Sequence, residues 1–228
     1  MIQNHVRPSS SEIRSVVTLP VRWLAIDLEY IKKDDKFMAI EIGIWDIEKD
    51  EPVLNRFINP NCEFNLSRRL QERGVTKEQI ISEGFSVEEL ERILKQILPG
   101  SIACFWNSKC DLRNFPTLKK YALGIRCCMT RHAERHGFYS VDYDNHGFCK
   151  LGNVAGELGF SLNEGENFHQ AITDARATSY IWQILDDKTL PGCVDLIPRS
   201  EVEELLKKVY LENQENLQSE EEENPIPF

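Results

Sequence analysis

One stretch, NFHQAITDARATSYIWQIL (167–185), constrains this chain more than any other. It sets His169 five positions before Asp174 and then runs into an apolar-periodic segment carrying Ile181, Trp182, Ile184 and Leu185. Ala171, Ala175 and Ala177 add small residues that let a helix pack closely. The spacing predicts a long helix over 168–187, buried on one side, with a carboxylate near its beginning. Taken alone, such a His and Asp are more often packed or capping groups than chemistry, so their meaning depends on what the rest of the chain brings to them.

The first partner is VRWLAIDLEY (21–30). Its apolar run Trp23–Ile26 suits a buried central strand, and Asp27 and Glu29 close it. Carboxylates at i and i+2 on a strand project to one face. Two further β-rich runs follow, FMAIEIGIWDI (37–47) and VLNRFI (53–58), separated by charged turns, which predicts an antiparallel meander. The period then changes. Short helical pieces are expected at 66–73 and 77–81, broken at Gly74. SVEELERILKQIL (86–98) opens on a capping box, Ser86 with Glu89, and carries an apolar stripe of Leu90, Ile93, Leu94 and Ile97. SIACFWN (101–107) reads as another buried strand, followed by a helix over 111–121, a short strand at 125–129 and a helix at 150–160 ended by Gly159. Strands first, then strand and helix in alternation, predict an α/β fold with helices packed on a central mixed sheet.

The ends read differently. Residues 1–19 form a polar arm, 20–190 one folded domain, 191–213 a Pro-punctuated link with an amphipathic helix, and 214–228 an acidic, disordered tail. A formal charge of −10 argues against the basic coat of a duplex-DNA binder, though not against nucleic acid presented through bound metal. No run approaches the ~20 apolar residues of a membrane span, and no apolar signal core is seen. Seven irregularly spaced cysteines point to reduced thiols in the cytoplasm or nucleus.

Gathering the polar residues at strand ends and helix starts gives Asp27, Glu29, Asp111, His169 and Asp174. Four carboxylates brought together would repel unless divalent metal with oxygen ligands joined them, which Mg²⁺ or Mn²⁺ accepts. A neutral His beside them would suit a general base. Each piece has a bland alternative: a solvated strand end, a helix N-cap at Asp111, a packed histidine. It is the joint pattern that favours chemistry.

At this point the sequence resembles the DEDDh branch of the 3′–5′ exonucleases over about residues 21–187. The first motif stands as AIDLE, the second as WNSKCD with Asn107 and Asp111, the third as HQAITDA with His169 and Asp174. The gap in the third motif matches the histidine branch; the tyrosine branch carries its Tyr where this chain has Gln170. IEIG (40–43), RGVT (73–76) and KLGNVAGELGF (150–160) resemble secondary elements of the same family. The resemblance implies a ribonuclease H-like fold: a five-stranded mixed sheet, three antiparallel strands first, with helices on both sides. It further implies that Asp27, Glu29, Asp111 and Asp174 bind two Mg²⁺ or Mn²⁺ ions and that His169 deprotonates a water. The substrate would be a single-stranded RNA or DNA 3′ end, RNA slightly ahead, released as 5′-monophosphates. Tyr30 stands where the family often has Thr, and Trp106 where it usually has His; with Asn107 these are the expected substrate contacts.

Two competing readings remain open. Cys127, Cys128, His132, His136, His146 and Cys149 hold half of the chain's Cys and His and could form a zinc site, but they match no standard spacing. Alternatively the chain is a catalytically silent nuclease-fold module that binds nucleic acid or a protein partner. A homodimer, and a protein partner docking on the acidic tail, complete the expectations.

Overall fold

The computed structural model describes residues 21–136, 139–140, 145–146 and 149–185. The expected N-terminal arm, the C-terminal link and helix, and the acidic tail lie outside the described residues.

The chain opens with β1 (Arg22–Lys33), β2 (Lys36–Asp46) and β3 (Glu51–Phe57), paired antiparallel in turn. The β1–β2 connection is tight. Lys33 pairs with Lys36, and both intervening residues, Asp34 and Asp35, adopt positive φ (47° and 60°), as the twist of a two-residue hairpin requires. Then come α1 (Arg68–Glu72), α2 (Lys77–Glu83) and α3 (Val87–Ile97). β4 (Ser101–Phe105) pairs parallel to β1, and α4 (Ser108–Asn114) and α5 (Thr117–Tyr121) lead to β5 (Gly124–Cys127), parallel to β4. The remainder is α6 (Cys128–His136), a small β6–β7 ribbon (Tyr139–Ser140, Asn145–His146), α7 (Leu151–Glu157) and α8 (Ala171–Leu185). The sheet order is β3-β2-β1-β4-β5. The expected five-stranded mixed sheet, three antiparallel strands first, is therefore present.

Parity along β1 explains the layers. Leu24, Ile26 and Leu28 point to one face, where Leu90, Leu94 and Leu98 from and just after α3 meet them with Phe115 and Leu118. Full burial of Leu90 and Leu94 contributes roughly 1.5–3 kcal/mol each. Ala25 points to the other face and packs with Val154, Ala177, Ile181 and Trp182 of α7 and α8. Asp27 and Glu29 share the parity of Ala25, so β1 aims both carboxylates at the α8 side.

Gly43 lets α8 come close. A Cβ there would stand 2.3 Å from the main chain of Ala171 and Ile172, so only glycine lets the start of α8 lie against β2. The Ser86–Glu89 capping box forms as the sequence predicts, and Gly74 and Gly159 end their segments at positive φ. Two expectations need correction. The helix over 111–121 is two helices, because Pro116 cannot continue the first. And the 168–187 helix begins only at Ala171: His169, with φ of 68°, stands outside it.

Candidate active site

Four carboxylates come together from three places. Asp27 and Glu29 come from the end of β1. Asp111 lies in the first turn of α4, just past the C-terminal end of β4, which runs parallel beside β1. Asp174 lies in the first turn of α8. That is the edge at which parallel strands of an open α/β sheet usually present ligand sites. Asp111 and Asp174 are buried and the β1 pair half-buried.

Their proximity shows in their acidity. Burial, then the neighbouring charges of Asp174, Asp111, Glu29 and Glu41, push the Asp27 carboxyl well above the usual range. Glu29 is pushed up to about 7 by burial and then by Asp174 and Glu41, against the opposing cations Arg73 and Arg69. Asp111 and Asp174 are each raised to about 7, with burial the leading cause. A cluster that disfavours its own ionisation in this way would be relieved by positive charge.

His169 sits at the rim with its side chain 45% exposed and Nδ1 3.9 Å from Glu29 Oε1. Ligand atoms of Glu29, His169 and Asp174 lie within 4.8 Å of one another, a grouping of the kind that could hold a metal ion. Partial burial and the cations Arg69 and Arg73 hold its pKa below the ordinary imidazole value, which keeps the ring neutral. Its left-handed backbone costs of order 1–3 kcal/mol in a non-glycine residue and is held by contacts on both sides. The His169 N–H donates to both Asp174 carboxylate oxygens at 3.2 Å. Its carbonyl accepts from Arg73.

The second motif is positioned by main chain. The Asn107 carbonyl accepts from the amides of Cys110 and Asp111, opening α4, while its side chain makes no capping bond. Tyr30 donates from its hydroxyl to Asp111 Oδ1 at 3.1 Å, tying the first motif to the second. A register shift between Glu29 and Tyr30 separates their directions: Glu29 faces Glu41, and Tyr30 faces Ala39. Trp106 is only 8% exposed and packs in the core against Cys128 and Met129, its ring tilted over His132. That burial leaves it little surface for a substrate.

Four of the residues offered for zinc, Cys127, Cys128, His132 and Cys149, are engaged in other contacts or packed in the core. Cys127 donates from Sγ to the Trp106 carbonyl at 3.5 Å and accepts from Thr130 Oγ1 at 3.2 Å. Cys128 is fully buried, and burial pushes its thiol pKa up. His132 is buried against Trp106, and Cys149 packs at the edge of the same core. The side chains of His136 and His146 lie outside the described residues. Among the described residues, no Cys/His set draws together as the Glu29–His169–Asp174 group does.

No protein-family model matches the sequence, and no curated protein does. Solved structures do match its shape. The nuclease domain of 3′hExo, a DEDDh family member bound to rAMP, aligns with a TM-score of 0.52 at 14% identity, over 76% of this chain and 94% of that one. The fold is that of the DEDDh-type 3′-exonucleases. Escherichia coli Exonuclease I in complex with a dT13 oligonucleotide shares the DEDDh-type fold with a TM-score of 0.53 at 12% identity, over 87% of this chain and 45% of that one. The Saccharomyces cerevisiae Pan2 UCH-Exo module, in complex with AAGGAA RNA, aligns at 0.52 and 15% identity, over 86% of this chain and 32% of that one. This chain thus spans about a third of the Pan2 module and less than half of Exonuclease I.

Within this DEDDh-type fold, sequence reasoning missed one pair at the site. Glu41 is buried and forms a two-pronged ion pair with Arg73, at 2.8 and 3.1 Å. A glutamate inside the apolar run FMAIEIGIW was itself a signal, because a buried charge must find a partner.

Proposed function

We propose that this chain is a divalent-metal-dependent 3′–5′ exonuclease that removes nucleoside 5′-monophosphates from single-stranded ends, with RNA ahead of DNA. The observation that carries this reading is the grouping of Glu29, His169 and Asp174 ligand atoms within 4.8 Å, beside Asp27 and Asp111, with all four carboxyls raised by burial and the β1 pair also by neighbouring members of the set. The neighbouring cation Arg73 is paired with Glu41 and offsets the charge of Glu29 and Asp174 only in part, since both stay raised. The donor set, all oxygen with one imidazole at its rim, fits Mg²⁺ or Mn²⁺.

Asp27, Glu29, Asp111 and Asp174 would hold two such ions. When bound, these supply charge stabilisation for the attacking and leaving oxygens of a phosphodiester and a lowered pKa for water. The remaining work belongs to the protein. His169, kept neutral and reachable from solvent, takes the proton of the attacking water. Asp174 grips the His169 amide and so fixes where the ring can be. Tyr30 orients Asp111 through its hydroxyl. Support for single-stranded ends comes from the neighbours of the same fold: 3′hExo with rAMP, Exonuclease I with a DNA oligonucleotide, Pan2 with RNA.

Initial rates on 5′-labelled single-stranded RNA, single-stranded DNA and blunt duplex in Mg²⁺ test the reading. Stepwise shortening from the 3′ end, fastest on single-stranded RNA, is expected. Internal cuts would overturn the exonuclease assignment, and faster DNA cleavage would reverse the substrate order. Binding of oligonucleotide without any cleavage would instead fit the silent-module alternative.

A further inference from the structure

The Arg73–Glu41 pair has a place in the site that no metal-binding role explains. Glu41 stands directly across the sheet from Glu29, and Arg73 closes α1 at its C-terminal end. The Glu41 side chain is buried and that of Arg73 nearly so, 5% and 11% exposed. Two contacts lead from this pair to the histidine segment, and a third interaction joins the pair itself. Arg73 Nη1 donates to the His169 carbonyl, the Ala171 amide donates to Glu41 Oε1 at 3.3 Å, and the two guanidinium prongs hold the carboxylate. Arg73 Nε is buried with no hydrogen-bond partner among the described residues, so the arginine is not placed to satisfy itself.

We infer that Arg73 and Glu41 form a clamp that holds His169 in its left-handed backbone conformation, making them positioning residues for the proposed general base. This inference builds on the exonuclease reading and deepens it. A buried ion pair adds little net stability over an apolar pair of the same size. What this one does is determine geometry. His169 precedes α8 and has no helical hydrogen bonds of its own to hold it. Asp174 secures its N–H, and the clamp secures its carbonyl and the amide two residues on. Removing the clamp leaves the imidazole free to swing from the Glu29 carboxylate while Asp27, Glu29, Asp111 and Asp174 stay in place. Substrate binding, which depends on those carboxylates and their metal, then changes far less than the chemical step.

The test is a double-mutant cycle on the full chain with Mn²⁺ and a single-stranded oligoribonucleotide. Arg73→Met is expected to lower kcat by ~10–10²-fold, the cost of a misplaced catalytic group, while KM changes less than about twofold. In a His169→Ala background the same substitution is expected to lower kcat by less than about threefold, because the residue it positions is gone. Losses that multiply in the double variant, or a folded Arg73→Met enzyme with unchanged kcat, would overturn the clamp. Arg73→Met alone strands a buried carboxylate, so Arg73→Met with Glu41→Gln removes both charges and carries the same expectations if the single variant fails to fold. Should the wild-type chain cleave no oligonucleotide, the exonuclease reading fails rather than the clamp. Amide hydrogen exchange at His169 then decides: at least ~10-fold faster exchange in the variant, with β4 amides unchanged, supports the clamp, and equal exchange refutes it.

Discussion

Asp27 stands two residues before Glu29 on one strand, and the same spacing that aims both at α8 also makes them repel. Removing one of them should therefore stabilise the metal-free protein while destroying its chemistry. Asp27→Asn is expected to raise metal-free stability by roughly 0.5–2 kcal/mol in urea unfolding at pH ~8, the usual gain when an active-site strain is relieved. A loss of stability would show that the carboxylate serves the fold. At the rim, His169→Ala should cut kcat by ~10²–10⁴-fold if the ring is the general base. An unchanged rate would reduce it to a packing residue. Tyr30→Phe removes the donor to Asp111, a charge-assisted bond worth about 1.5 kcal/mol or more, so the metal concentration for half-maximal rate should rise roughly tenfold. The motif residues could be read from the sequence because each is a carboxylate or His at the edge of an apolar run. Glu41 and Arg73 were harder. Their meaning lies in a contact between a strand and a helix end 32 residues apart, and in a carbonyl 96 residues beyond Arg73.

The same division holds for whole elements. β1, β4 and the Ser86-capped α3 could be read directly, since buried runs and capping boxes are local properties. The true start of α8 could not. The 167–185 run looks helical from its beginning, yet Asp174 and Arg73 hold His169 at positive φ and delay the helix to Ala171. Pro116 was visible, and its consequence, a break between α4 and α5, follows from the missing amide. Gly43 gives the clearest test at this scale. Gly43→Ala drives a methyl into the main chain of Ala171 and Ile172, where no side chain can yield. Overpacking of this kind costs about 1–3 kcal/mol, and it should also lower kcat by displacing α8 with Asp174. Urea unfolding and steady-state kinetics on the same variant check both. Full activity with lowered stability would separate α8 placement from the site.

Across the molecule, the carboxylate cluster ties stability to pH and, if the proposed ions bind there, to metal. Burial pushes Glu29, Asp111 and Asp174 up to about 7 in the folded chain and holds Asp27 well above the usual range, whereas unfolded carboxylates titrate near 4. A raised folded pKa means that the folded state keeps its protons longer. Their contribution is fully present below about pH 4 and is lost as pH rises through about 7. His169, with its pKa lowered, works in the opposite direction as pH falls below its unfolded value, one group against four. The metal-free protein should thus melt at a lower temperature at pH ~8 than at pH ~5.5, and Mn²⁺ should raise Tm more at the higher pH, where the ligands are free of protons. A metal effect that is equal at both pH values would place the ion elsewhere. With a formal charge of −10, attraction of a phosphate backbone would, on the proposed function, rest on metal held at this spot.

The most direct measurement follows a 5′-labelled single-stranded RNA over time in Mn²⁺ and in EDTA, with the wild-type chain and with Asp27→Ala shown to be folded by circular dichroism. A ladder shortening one nucleotide at a time, with 5′-monophosphates as product, lost both in EDTA and in Asp27→Ala, is the result expected of this site. Cleavage that survives EDTA or the loss of Asp27, or no cleavage by the metal-loaded wild-type chain, would contradict it.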